Sequence, residues 1–118
     1  MQVMASLNQV ISPRKTLEMC ITGKNYIAEE ALKLGLVTYI ALAGNIADEV
    51  QLTAKQISQN APYAIQQGMS AFQRLKDIPG NDQHSFLKAQ LDVILQSEDA
   101  KEGMQAFKEK RSPNWKGK

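Results

Sequence analysis

The sequence predicts a mainly α-helical chain with one short extended segment. Three observations carry that prediction. Apolar residues recur at spacings of three and four along most of the chain, as on one face of a helix. Gly23 and Gly35 each follow such a pattern, where a helix end needs a residue that tolerates positive φ. Pro13 and Pro62 stand at first-turn positions, where proline's missing N–H removes no helical bond.

Val3, Met4, Leu7, Val10 and Ile11 mark a first helix within residues 2–11. Ser12 offers a side-chain cap and Pro13 begins a second helix that runs to Thr22. Between the two glycines, residues 28–34 form a short run of strong helix formers, with Glu29 and Glu30 opposing the positive end of the helix dipole. Ile27 precedes this run where a serine or threonine would cap it, a loss of about 1 kcal/mol. Packing of Ile27 or the two glutamates after it are the candidates to offset that loss. Leu36, Val37, Tyr39 and Ile40 then read as a short strand.

Ala43-Gly44-Asn45 is a turn, and Ile46, Ala47, Val50, Ala54 and Ile57 mark a helix ending near Asn60. Asn60 is placed to cap the next helix, whose inward face holds Ala64, Ile65, Met69, Phe72 and Leu75. Residues 79–82, Pro-Gly-Asn-Asp, interrupt the pattern before Leu87, Leu91, Ile94 and Leu95 define a further helix. Ser97 caps the last helix, which has acidic residues in its first turn, basic ones in its last, and Pro113 as its stop.

At 118 residues the chain has one domain's worth of material, near the size at which a partner surface often helps. A net charge of +2 predicts no polyanionic partner. No apolar run approaches the roughly 20 residues of a membrane span, so neither a membrane nor a nucleic-acid partner is expected, and the expected location is cytoplasmic. Cys20 has no second cysteine to pair with and reads as an inert buried thiol. His84 has no second histidine or cysteine at ligand spacing, which argues against a metal site. The carboxylates Glu29, Glu30, Glu98, Asp99 and Glu102 fall at helix starts or on polar faces, so solvated or capping roles are expected and none is assigned as catalytic.

Two stretches match a known pattern. Thr22, Gly23, Ala28, Glu30, Ala31, Gly35, Leu36 and Val37 follow T-G-x-x-x-x-A-x-E-A-x-x-x-G-L-V, and residues 98–113 follow E-D-x-x-E-G-x-x-A-F-x-E-K-R-x-P. In this order the two resemble the enoyl-CoA hydratase/isomerase, or crotonase, superfamily. The resemblance implies the helical C-terminal part of a crotonase-like spiral α/β fold, with residues 1–40 ending the core and residues 41–118 forming a helical oligomerisation region. Family members are usually more than twice as long, and their earlier part supplies two oxyanion-hole N–H groups and the acidic residues that move protons. Met1 therefore reads as the start of a fragment that is inactive alone.

The function implied is that of an enzyme acting on coenzyme A thioesters in fatty-acid or related metabolism through a stabilised enolate, with no further cofactor. The positions matching Phe107 and Lys110 contact the adenine and phosphates of coenzyme A. The helical end also builds trimers and stacked hexamers, and Met69, Phe72, Phe86 and Met104 are candidate contacts for that assembly, against a plain core role. The alternative is a non-catalytic helical oligomerisation or interaction module. Lys108 to Lys118, which hold five of the 14 basic residues, read on composition alone as a solvated, partly disordered tail.

Overall fold

The computed structural model describes residues 2–118 as seven helices. They are α1 (Val3–Leu7), α2 (Pro13–Thr22), α3 (Ala28–Lys33), α4 (Ile46–Ser58), α5 (Pro62–Leu75), α6 (Gly80–Leu95) and α7 (Glu98–Glu109). Residues 36–42, read above as containing a strand, form no ladder among the described residues. A lone strand has no partner for its N–H and C=O groups, and a chain that is otherwise helical supplies none.

The chain divides into two compact units, Met1–Glu49 and Val50–Lys118. In the first, α1 packs against α2, and Ile11 and Thr16 are its buried residues. Ser12 Oγ accepts the Lys15 N–H at 3.4 Å, and Gly23 closes α2 at φ 60° while its N–H donates to the Met19 carbonyl, as the spacing predicts. Ile27, at the start of α3, is largely exposed and its side chain offers no acceptor. The compensation comes from Glu30, whose Oε2 accepts the Ile27 N–H at 3.2 Å, the reach-back half of a capping box. Gly35, at φ 76°, and Leu36 close α3, the latter donating to the Ala31 carbonyl at 2.9 Å. Cys20 is exposed, not buried as its isolation in the sequence implied, because it falls on the outward side of α2.

In the second unit, α5, α6 and α7 pack on one another around Ala71 and Ala106. Asn60 caps backward: its Nδ2 donates to the Gln56 carbonyl at the end of α4, and α5 has no side-chain cap of its own from Ala61. The loop before α6 is tied by Gln83, whose Nε2 donates to the carbonyls of Leu75 and Ile78 at 3.1 Å each. Helix α6 begins at Gly80, inside the interruption read from residues 79–82, because Pro79 is itself the residue that starts it. Met69 and Phe72, read above on the inward face of α5, are instead exposed at 62% and 76%, because that apolar face extends well beyond what this unit covers. Phe86 is half-buried, and the Arg74 guanidinium stacks 4.8 Å from its ring centre.

Candidate functional site

The end of α7 gathers the side chains with the most chemistry. Ser97 Oγ accepts the Ala100 N–H at 3.0 Å and starts the helix as its sequence predicts. The helix stops at Glu109, before Pro113, because Lys110 takes a left-handed conformation at φ 53° and ψ 39°. Lys110 is the one residue other than glycine with positive φ among the described residues. Its N–H turns back to the Ala106 and Phe107 carbonyls, and the Arg111 N–H reaches the Ala106 carbonyl at 3.1 Å.

Beyond this reversal, residues 111–118 are mostly exposed, as a solvated tail would be, but hydrogen bonds tie them down as a strap. Arg111 grips Glu102 with both arms of its fork, Nη1 to Oε1 at 2.6 Å and Nη2 to Oε2 at 3.0 Å, and its Nε reaches Glu109 at 2.5 Å. Glu102 Oε1 also accepts the Asn114 N–H at 2.7 Å. Pairing with Arg111 and that N–H hold the Glu102 carboxyl down to about 2. Trp115 lies over Gly103, where an added Cβ would come within 3.2 Å of its ring, and its Nε1 donates to the Gln59 carbonyl at 2.8 Å.

Asp99 holds the last part of the strap. It is 1% exposed, and its carboxylate accepts N–H groups from Lys116 at 2.7 Å, from Gly117 at 3.0 Å and from Tyr63 at 3.3 Å. The Tyr63 bond makes Asp99 the missing cap of α5, supplied from another helix. Burial pushes its carboxyl up, but the donations from Lys116, Tyr63 and Gly117 outweigh it and leave the group below the ordinary aspartate range. The sequence placed Asp99 correctly in the first turn of α7 but not in the interior, since a partner 36 residues upstream leaves no local signal.

Phe107 lies in the last turn of α7, and Lys110 is the residue that reverses the chain just after it. Phe107 is 86% exposed, and Lys110 is exposed with no ion pair among the described residues. An open aromatic face and an ammonium with no ion pair among the described residues thus stand three positions apart at one helix end, groups suited to a flat heteroaromatic ring carrying phosphate. The remaining titratable groups assemble nothing comparable. His84 is exposed, and no cluster of three metal-ligating side chains occurs among the described residues. No helix of the described residues is long and apolar enough to cross a membrane.

A sequence profile described as Enoyl-CoA hydratase/isomerase matches residues 1–118. A carnitinyl-CoA dehydratase of Salmonella paratyphi A is 33% identical over 116 residues, which span 95% of this chain and 44% of that protein. Among solved structures, an enoyl-CoA hydratase from Bacillus anthracis superposes with a TM-score of 0.91 at 27% identity, over 98% of this chain and 45% of its own. One from Mycobacterium tuberculosis H37Rv gives 0.89 at 30% identity, covering 98% and 46%. The chain thus spans less than half the length of the relatives it matches.

Proposed function

This chain belongs to the enoyl-CoA hydratase/isomerase family, and from that premise we propose that it serves an acyl-CoA enzyme as its helical C-terminal part, supplying subunit contacts and one portion of the coenzyme A site. The reaction in view is chemistry on an acyl-CoA thioester through an enolate held by an oxyanion hole. None of the residues described above is assigned to the reacting centre, no further cofactor is invoked, and a cytoplasmic setting accords with this metabolic role.

The observation that carries the coenzyme A role is the open pair of Phe107 and Lys110 at the end of α7. An aromatic face can pack on adenine, and an ammonium can neutralise phosphate without the geometric demands of a guanidinium fork. In an active assembly, Lys110→Ala raises KM several-fold more than it lowers kcat, because the nucleotide end is remote from the thioester and is bound alike in ground and transition states. Added salt shrinks the effect, and Phe107→Ala acts similarly without the salt dependence. Unchanged acyl-CoA binding by both variants at low salt would make α7 a purely structural helix.

The subunit role, placed on residues 41–118, is supported by exposed apolar side chains on every helix of that stretch. Helix α4 is the extreme case: each of its 13 residues is exposed, including Ile46, Val50, Leu52 and Ile57. Such a face belongs under another protein surface, and a trimer or hexamer of like chains is the assembly proposed. The same faces favour the second reading, a non-catalytic oligomerisation module, and turnover of acyl-CoA by an assembly containing this chain separates the two.

A further inference from the structure

Lys110 occupies a backbone conformation that side chains with a Cβ rarely adopt, so something beyond local preference must hold it there. The holding groups lie on both sides of it. Toward the N-terminus, the closing N–H bonds of Lys110 and Arg111 fix it to the last turn of α7. Toward the C-terminus, the Arg111 fork is anchored to Glu102, two turns back along the helix, and Glu102 also holds the Asn114 N–H. The reversal at Lys110 is therefore bridged by one carboxylate that grips the chain one and four residues beyond it. Arg111 is neutralised by Glu102 and Glu109, whereas the adjacent Lys110 keeps its charge for something else.

We propose that the Glu102–Arg111 clamp is a positioning device that fixes Lys110 in its left-handed conformation and so presents its ammonium beside Phe107. The inference rests on the coenzyme A role proposed for those two residues and adds the pair that orients them. Glu102 and Arg111 touch no ligand in this scheme; they act through Lys110. A lysine in place of Arg111 would keep the charge but lose the two-armed grip, and a glutamine in place of Glu102 would present an N–H₂ to a guanidinium that needs two acceptors.

The test uses Glu102→Gln, Lys110→Ala and the double variant, with nuclear magnetic resonance on the 118-residue chain and coenzyme A titration at low salt on the active acyl-CoA assembly that contains it. Glu102→Gln is expected to move the Lys110 Cα shift away from its left-handed value, to speed exchange of the Asn114 amide by about ten-fold or more, and to weaken coenzyme A binding several-fold. In the Lys110→Ala background the same change is expected to add no further weakening, which a general loss of stability would not reproduce. If circular dichroism shows that Glu102→Gln has lost helix, Arg111→Lys takes its place in the same comparison. A clamp variant that leaves Lys110 unmoved overturns the proposal, as does one that moves Lys110 yet binds coenzyme A like the parent while Lys110→Ala does not. If Lys110→Ala in that assembly binds coenzyme A like the parent, the Lys110 role itself fails and this inference falls with it.

Discussion

A carboxylate in the interior is tolerated only where donors replace the water it has lost. Asp99 meets that condition with three backbone N–H groups and Glu102 with a guanidinium fork and one N–H. Both are held below their ordinary titration range in the folded chain, Glu102 from 4.5 to about 2. A group whose folded value is depressed contributes stability that is fully present above its unfolded value and is lost as pH falls through the folded one. The strap is therefore expected to loosen between about pH 4.5 and about pH 2. Trp115 is the sole tryptophan and lies on the strap, so its emission should shift to the red over that interval. Emission unchanged down to pH 2 would show that the two carboxylates do not hold the strap. At this scale the local features were legible: the Ser12 and Ser97 caps, Gly23 and Gly35 as helix ends, and the acidic start of α7. The distant ones were not, because the Asp99–Tyr63 and Trp115–Gln59 bonds join residues 36 and 56 positions apart.

Helix ends decide where each element stops, and glycines set two of them. At Gly23 nothing lies within 4 Å of where a Cβ would stand, so the cost of alanine there is conformational and not steric. Gly23→Ala should lower stability by about 1 kcal/mol, the ordinary penalty for a left-handed alanine, with little change in helix content by circular dichroism. A variant as stable as the parent would mean that α2 can end in another way. Periodicity located all seven helices, and their order survives intact in the structure. Boundaries failed where one residue type has two meanings. Pro79-Gly80 reads as a break and is also a helix start, while lysine at a left-handed position has no sequence signature at all.

Burial separates this chain from a self-sufficient one. It exposes 9664 Å². Compact monomers follow a scaling that gives about 6,400 Å² for a chain of this mass, and about 7,700 Å² even if it is counted as two separate bodies. Even against the two-body figure the excess is about 2,000 Å², comparable to the area buried in a stable protein–protein interface, roughly 1,200–2,000 Å². Self-association at micromolar concentration is expected, and sedimentation should show dimers or trimers. A clean monomer at high concentration would count against the subunit role. Of the four candidate contacts, Met69, Phe72 and Met104 are exposed at more than half of their surface and Phe86 is half-buried, while the spacing that put Met69 and Phe72 on an inward face could not show that this unit leaves them uncovered. The full exposure of α4 was not, since its apolar spacing is what a buried helix face also requires.

The strap has a further consequence for how the second unit comes into being. A ribosome makes the chain from its N-terminus, so α5 emerges well before the carboxylate that caps it. Asp99 in turn draws most of its donors from Lys116 and Gly117, made later still. Until those residues leave the exit tunnel, the Tyr63 N–H has no cap, the Gln59 carbonyl lacks the indole N–H, and Gly103 lies bare. Closure of this unit thus waits until residues 115–117 have been made and have left the tunnel, well after α5 itself has emerged.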